Sequence, residues 1–206
     1  MIGGGETREA NAVIGGKEQG KSTFTSEIIE MYRAAGERVV ILTETEPHAY
    51  KKYPRVKLVE SLGRPDCPRV VKYYNRLDAR RMLKDVYRLC VDGKIKSGLL
   101  VMEDATNYLD PWPVIEVRQF LTNHRMFHLD IIITSHSLDL FPNFCRKMVS
   151  SVTIFQTAEV FEKDREIKSL KYGNHVNLFK AWQKCMRTPK NKKSYIQYHE
   201  TIATGI

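Results

Sequence analysis

An α/β fold, with a mostly parallel sheet held between layers of helices, is predicted for this 206-residue chain by three observations. Short apolar runs rich in β-branched residues alternate with stretches of helical periodicity, the pattern of strands joined by crossover helices. Two of the runs, Leu99–Met102 and Ile131–Ile133, are continuously apolar, as strands buried on both faces must be. The first run, Ala12–Ile14, leads directly into the glycine-rich segment Gly-Gly-Lys-Glu-Gln-Gly-Lys-Ser at 15–22, and a helical pattern follows it.

That segment matches G-x-x-x-x-G-K-[ST] in full. Gly15, Gly16 and Gly20 permit positive φ and close approach of a phosphate to the backbone. The residues Gly15, Gly16, Lys17, Glu18, Gln19, Gly20, Lys21, Ser22 and Thr23 are therefore the expected phosphate cradle. Their successive N–H groups point into one concavity at a helix N-terminus. Lys21 is expected on the β- and γ-phosphates and Ser22 on Mg²⁺. Strand, loop and helix in that order are the context the motif needs.

The helix after the loop, Thr23–Ala35, carries Phe24, Ile28, Tyr32 and Ala35 at helical spacing and stops at Gly36. Arg38–Thr43 is the next strand, ended by the acidic stretch to Pro47. Residues 51–72 have a weaker pattern: Val56–Val59 reads as a short strand and Gly63–Pro68 as a loop. A helix over Leu77–Val91 aligns Ala79, Leu83, Val86, Tyr87 and Cys90 on one stripe. Asp92-Gly93 turns the chain into the strand that Glu103-Asp104 closes. Asp110-Pro111 opens a helix running through Val114, Val117 and Leu121 to Arg125. Leu129–Ser135 and Ser151–Gln156 are the remaining core strands. Beyond them, 174–186 reads as a helix, 190–193 as a turn and 195–198 as a final strand.

Length and pattern imply one domain over 1–206, its core at about 12–157, with a C-terminal helix and basic tail at 158–206. No apolar run reaches the ~18 residues of a membrane span, and no secretory leader opens the chain. A cytoplasmic location is expected. Cys67, Cys90, Cys145 and Cys185 stand far apart and read as reduced, mostly buried thiols, without zinc-ligand spacing. The net charge of +9 favours a polyanionic partner, above all nucleic acid. Basic residues gather at Lys51, Lys52 and Arg55, at Arg76, Arg80, Arg81 and Lys84, and over 187–193.

In a parallel sheet, ligands bind beyond the carboxyl ends of the strands. Gly15–Ser22, Glu103-Asp104 and Thr134–His136 should therefore share one edge. Two adjacent acids point to hydrolysis rather than transfer to a small molecule: Glu103 for Mg²⁺, Asp104 to polarise the attacking water. At the end of the Ile131–Ile133 strand, His136 or else Ser135 is placed to contact the γ-phosphate or that water. An ordinary turn explains the same residues. Arg125, with Arg118 and Arg146 as alternatives, could stabilise transition-state charge on a neighbouring subunit's nucleotide; a helix-end dipole explains it equally.

Gly15–Ser22, Leu99–Ala105 and Asn123–Ser137 together resemble the HerA/FtsK superfamily of DNA-pumping ATPases. Viral genome-packaging ATPases and the zonula-occludens-toxin-like phage assembly ATPases are the most similar groups. The acidic pair reads Glu-Asp where those proteins more often have Asp-Glu. His136 stands where they usually have Gln, a donor whose charge depends on pH.

The resemblance implies a three-layer P-loop NTPase fold of the additional-strand, RecA-like kind. In it the Ile131 strand lies between the phosphate-loop strand and the Leu99 strand. It further implies ATP and Mg²⁺ as cofactors and a homo-oligomeric ring, often a hexamer, with an arginine acting in trans. Double-stranded DNA is the implied partner, gripped without regard to sequence. With no membrane anchor, the expectation is a packaging motor of a small DNA virus, in host cytoplasm or virion-associated, with a capsid or portal partner. A small-molecule P-loop kinase and a nucleotide-dependent switch or loader are the alternative readings.

Overall fold

The computed structural model describes residues 8–74, 78, 81–109, 113–172 and 175–187. Among these, seven strands form one sheet: β1 (Ala10–Ile14), β2 (Val39–Leu42), β3 (Arg55–Val56), β4 (Val70–Tyr73), β5 (Gly98–Met102), β6 (Leu129–Ser135) and β7 (Ser151–Ile154). Their order is β3-β4-β2-β5-β6-β1-β7, and every pairing is parallel. β6 lies between β1 and β5, as the resemblance implied. The helices are α1 (Lys21–Ala34), α2 (Val59–Leu62), α3 (Met82–Val91), α4 (Ile115–Thr122), α5 (Asp164–Ser169) and α6 (His175–Arg187).

The period-2 alternation of a strand explains the three layers. Ile131 and Ile133 face one core with Leu100 and Met102; Ile132 faces the other with Leu99 and Val101. The first core is closed by Leu83 and Val86 of α3, Phe120 and Leu121 of α4, and Leu178 and Trp182 of α6. The second is closed by Phe24, Ile28 and Ile29 of α1. All three isoleucines of β6 are at most 1% exposed, each stabilising the fold by about 1.5–3 kcal/mol. α1 ends as its sequence requires: Gly36 takes φ +78° and its N–H returns to Arg33 O at 3.0 Å. Of the four free cysteines, Cys90, Cys145 and Cys185 are buried, which pushes the Cys90 thiol up to about 12 and Cys185 to about 11.

Several expectations are corrected. The strand expected at Val56–Val59 is shorter and earlier, at Arg55–Val56, and Val59 begins α2 instead. β4 has no counterpart among the expected elements. Lys72 interrupts its apolar run, yet the lysine is 2% exposed and carries its charge to Glu46. α5, only six residues long, was also not anticipated. The helix expected to reach Arg125 stops at Thr122, and a tight 3₁₀ turn, His124–Phe127, carries the chain into β6. Leu77, Ala79, Arg80 and Asp110-Pro111, and the turn and strand expected over 190–198, lie outside the described residues.

Gly98, the first residue of β5, has φ +131°, and a Cβ on it would stand 2.0 Å from the Arg38 carbonyl oxygen. That oxygen accepts the Leu99 N–H that starts the β2–β5 ladder. Gly98→Ala should therefore destabilise the protein by about 3 kcal/mol or more in urea unfolding. Gly93→Ala, at φ +65° in open space, should cost only about 1–2 kcal/mol.

Candidate active site

Register decides which residues meet. Ile14 of β1 pairs with Ser135 of β6, and Met102 of β5 pairs with Ile133. The residues leaving those strands, Gly15, Glu103-Asp104 and His136, therefore emerge side by side at one edge of the sheet.

The loop after β1 is pinned at its start. Gly15 N–H donates to Ser135 O at 3.1 Å and Gly16 N–H to Gln156 O at 2.7 Å. A Cβ on Gly15 would lie 2.4 Å from Phe155 Cβ, so only glycine lets β7 come this close. Glu18 (φ +60°) and Gly20 (φ +96°) are left-handed, and the chain turns sharply into α1. The N–H groups of Lys21, Ser22 and Thr23 form the first turn of α1 and have no partner within the helix.

Lys21 is 6% exposed, and its Nζ donates to Gly15 O at 2.6 Å and Gly16 O at 3.1 Å. Burial lowers its pKa, while the charges of Asp104 and Glu103 act in the opposite sense. Glu103 is 3% exposed, and each carboxylate oxygen has one hydroxyl donor: Ser22 Oγ at 3.0 Å and Tyr50 OH at 2.9 Å. Burial, and then the neighbouring Asp104 charge, raise the Glu103 pKa against the pull of those two hydroxyls and Lys21.

Asp104 sits in the left-handed region at φ 47°, held there by its N–H donating to Thr134 Oγ1 at 2.8 Å. Its Oδ1 is buried and lies 3.2 Å from His136 Nε2, yet no donor is aligned with it for a hydrogen bond. His136 Nδ1 is 3.3 Å from Lys21 Nζ. An ammonium has only donors, so Nδ1 accepts and the imidazole proton sits on Nε2, facing Asp104. His136 thus bridges the lysine of one strand end and the acid of another. Ser135, the alternative to it, turns inward and donates to Ser137 O at 3.1 Å.

Ser22 and Glu103 offer hard oxygens side by side, a donor set that suits Mg²⁺. Among the described residues no cluster of three or more His, Cys, Asp or Glu side chains could hold a metal unaided. A Mg²⁺ ion here would complete its shell with phosphate and water.

The arginines are not at this edge. Arg125 precedes β6 at the amino edge of the sheet, where its Nε donates to Arg8 O at 2.9 Å. Arg118 lies on α4, which leads to the same edge. Arg146 is 6% exposed and donates to the carbonyls of Phe141 (2.9 Å), Leu170 (2.7 Å) and Asp139, which makes it an internal brace. Of the basic stretches, Lys52 pairs with Glu30 at 2.8 Å. Arg55 and Arg81 share a hollow of about 400 Å³ with Lys57, Arg88 and Tyr74, and with the acids Glu60 and Asp85. Among the described residues no helix is long and apolar enough to cross a membrane.

Two supporting residues had no local signal. Tyr50 reaches Glu103 from a 3₁₀ turn 53 positions earlier, and Thr134 holds a backbone rather than a ligand. Only the folded arrangement brings them to the acids.

Because the folded pKa of Glu103 is raised, its ionisation weakens the fold once pH exceeds the unfolded value near 4.5. The Tm of Glu103→Gln minus that of the parent should therefore rise from below pH 4.5 to neutrality in nucleotide-free, Mg²⁺-free buffer. In a Tyr50→Phe background the rise should extend to higher pH, since a hydroxyl that favours the carboxylate is gone. A difference flat with pH would contradict the burial argument.

No protein-family model and no curated protein matches the sequence. Solved structures match in fold. The genome packaging NTPase B204 from Sulfolobus turreted icosahedral virus 2, in complex with ATP-gammaS, gives a TM-score of 0.69 at 17% identity, over 93% of this chain and 89% of that one. B204, the DNA-packaging ATPase from Sulfolobus Turreted Icosahedral Virus, gives 0.64 at 16%, over 84% and 85%. VirB4 of Thermoanaerobacter pseudethanolicus gives 0.50 at 10%, over 81% and 82%. At these identities the likeness is one of fold: the chain has the parallel α/β P-loop NTPase fold that its HerA/FtsK resemblance implied.

Proposed function

We propose that the chain is a Mg²⁺-dependent ATPase that moves DNA, packaging a viral genome into a capsid. The observation that carries the hydrolytic part is the division of labour at the end of β5. Glu103 is buried against Ser22, whereas Asp104 keeps a carboxylate oxygen without an aligned donor beside Lys21 and His136. A kinase of small molecules needs no such second acid.

In this reading the amides of Gly15 to Thr23 cradle the triphosphate. Lys21 exchanges its contacts with the Gly15 and Gly16 carbonyls for the β- and γ-phosphates. Ser22 and Glu103 hold Mg²⁺, which supplies charge neutralisation across those phosphates. Tyr50 keeps the Glu103 carboxylate turned towards Ser22. Asp104 accepts the proton of the attacking water, and His136 stands on its other side, its Nε2 3.2 Å from Oδ1.

DNA as the cargo is supported by the charge of +9, by the hollow beside Tyr74 in which Arg55, Lys57, Arg81 and Arg88 outnumber Glu60 and Asp85, and by the fold shared with packaging NTPases. Cations with an aromatic face suit a phosphate backbone read without regard to sequence. Arg125 lies across the sheet from its own phosphate loop, so a role on the phosphates of a loop-bound nucleotide requires a second copy. A ring, of six subunits in our reading, meets that need.

The decisive measurement is ATP turnover with and without double-stranded DNA, with assembly followed in the same samples. DNA-stimulated turnover by a ring is expected; DNA-indifferent turnover by a monomer overturns the motor. Asp104→Asn should keep ATP binding and lose about 10²-fold or more in turnover, and normal turnover removes Asp104 as the base. Mixing Arg125→Ala with Lys21→Ala subunits should restore part of the activity, because intact loops then face intact arginines. Mixtures as dead as either parent exclude the trans role.

A further inference from the structure

A cavity of about 580 Å³ opens at the amino ends of β6 and β7, on the edge opposite the phosphate loop. Arg118 of α4, Arg125 of the turn before β6, Lys147 before β7 and Lys171 after α5 all line it. Among the described residues no aspartate or glutamate does. Among the described residues, no carboxylate lies within ion-pair distance of Arg118, Lys147 or Lys171. Arg118 Nε is buried and has no hydrogen-bond partner. A buried guanidinium N–H without an acceptor is costly, and four permanent cations around one hollow repel one another.

His124, also on the wall, adds no charge: burial lowers its pKa, and its Nδ1 lies 2.6 Å from the Leu129 carbonyl. Phe144 and Met148 add apolar surface, and Thr122 and Asn143 polar groups, to the lining. The hollow is thus cationic on one side and apolar on the other, at a volume ordinary for small-ligand sites. It is too confined for a duplex. The length of β1, about 17 Å at ~3.3 Å per residue, separates it from the phosphate loop of the same chain. One nucleotide cannot occupy both.

We propose that this cavity is a second nucleotide site, which holds the phosphates of a free nucleotide on Arg118, Lys147 and Lys171 and its base against Phe144 and Met148. Arginine and lysine meet phosphate by charge-assisted hydrogen bonds, and phosphate in the cavity offsets the mutual repulsion of its cations. Because the contacts are between cations and phosphate, affinity should fall with added salt. The site does not depend on what the phosphate loop does with its own nucleotide.

The test is ATP binding to the full-length chain by calorimetry. The parent should bind two ATP per chain and Lys21→Ala one. In the Lys21→Ala background, Lys147→Gln with Lys171→Gln should weaken the remaining site at least about tenfold. Both lysines are exposed, so this pair should leave folding intact where the partly buried Arg118→Gln would not. With an intact loop, the same pair should leave one site of unchanged affinity. Lys21→Ala binding no ATP, or binding it equally well after the lysine changes, overturns the proposal. So does a short single-stranded oligonucleotide whose binding, unlike that of ATP, is lost with the lysines. Failure of DNA-stimulated turnover would overturn the motor and leave these stoichiometries untouched.

Discussion

The pairing of β6 with β1 on one side and β5 on the other is the constraint on which the rest depends. In a parallel sheet the register sets which residue of each strand leaves the edge beside which. Ile14 opposite Ser135 and Met102 opposite Ile133 set Glu103 and Asp104 beside Thr134, and Gly15 beside the start of the Ser135–His136 turn. A slip of one residue would turn Thr134 to the other face of the sheet and remove the hydroxyl that holds the Asp104 backbone. The three buried isoleucines of β6 oppose such a slip, because each already faces a defined core.

What that register assembles is a cluster of charges in which Lys21 and Glu103 are hydrogen-bonded and Asp104 Oδ1 is left without a donor. Lys21, Glu103 and Asp104 lie together, two of them almost without solvent contact. Desolvation disfavours the charged forms of both Lys21 and Glu103, and their mutual attraction only partly offsets it. The loop carbonyls, Ser22, Tyr50 and His136 supply the remaining contacts. Such an arrangement fixes the side chains in place, and in the proposed ATPase reading every contact made by Lys21 is one that phosphate oxygens replace. The left-handed Asp104 belongs to the same economy, since a backbone conformation unfavourable by about 1–2 kcal/mol survives only where neighbours over-determine it.

The two edges of the sheet differ in kind. At the carboxyl edge one buried cation, Lys21, lies with two acids, Glu103 and Asp104. At the amino edge Arg118, Arg125, Lys147 and Lys171 surround a hollow with no acid among the described residues of its wall. Part of the excess of basic residues is therefore concentrated, not spread as a solvated skin. Arg146 belongs to neither edge: its guanidinium bonds three carbonyls and packs over Tyr172 at 5.3 Å. Residue type alone grouped it with Arg118 and Arg125, and burial separates it from them.

The phosphate loop, the strand-loop-helix around it, the acids closing β5 and the parallel α/β class were legible in the chain because each is a local pattern. An apolar run, a glycine spacing or a helical stripe needs no distant partner to be recognised. β4 escaped because Lys72 breaks its apolar run, and its burial beside Glu46 is a contact across 26 positions. Tyr50 on Glu103, Thr134 on the Asp104 backbone, and the choice of His136 over Ser135 are likewise long-range or orientational facts. Sequence by itself determined that a phosphate-binding loop and two acids would share an edge. Tertiary structure alone decided which side chains face one another there and that the arginines stand across the sheet, because register and packing act between residues the chain keeps far apart.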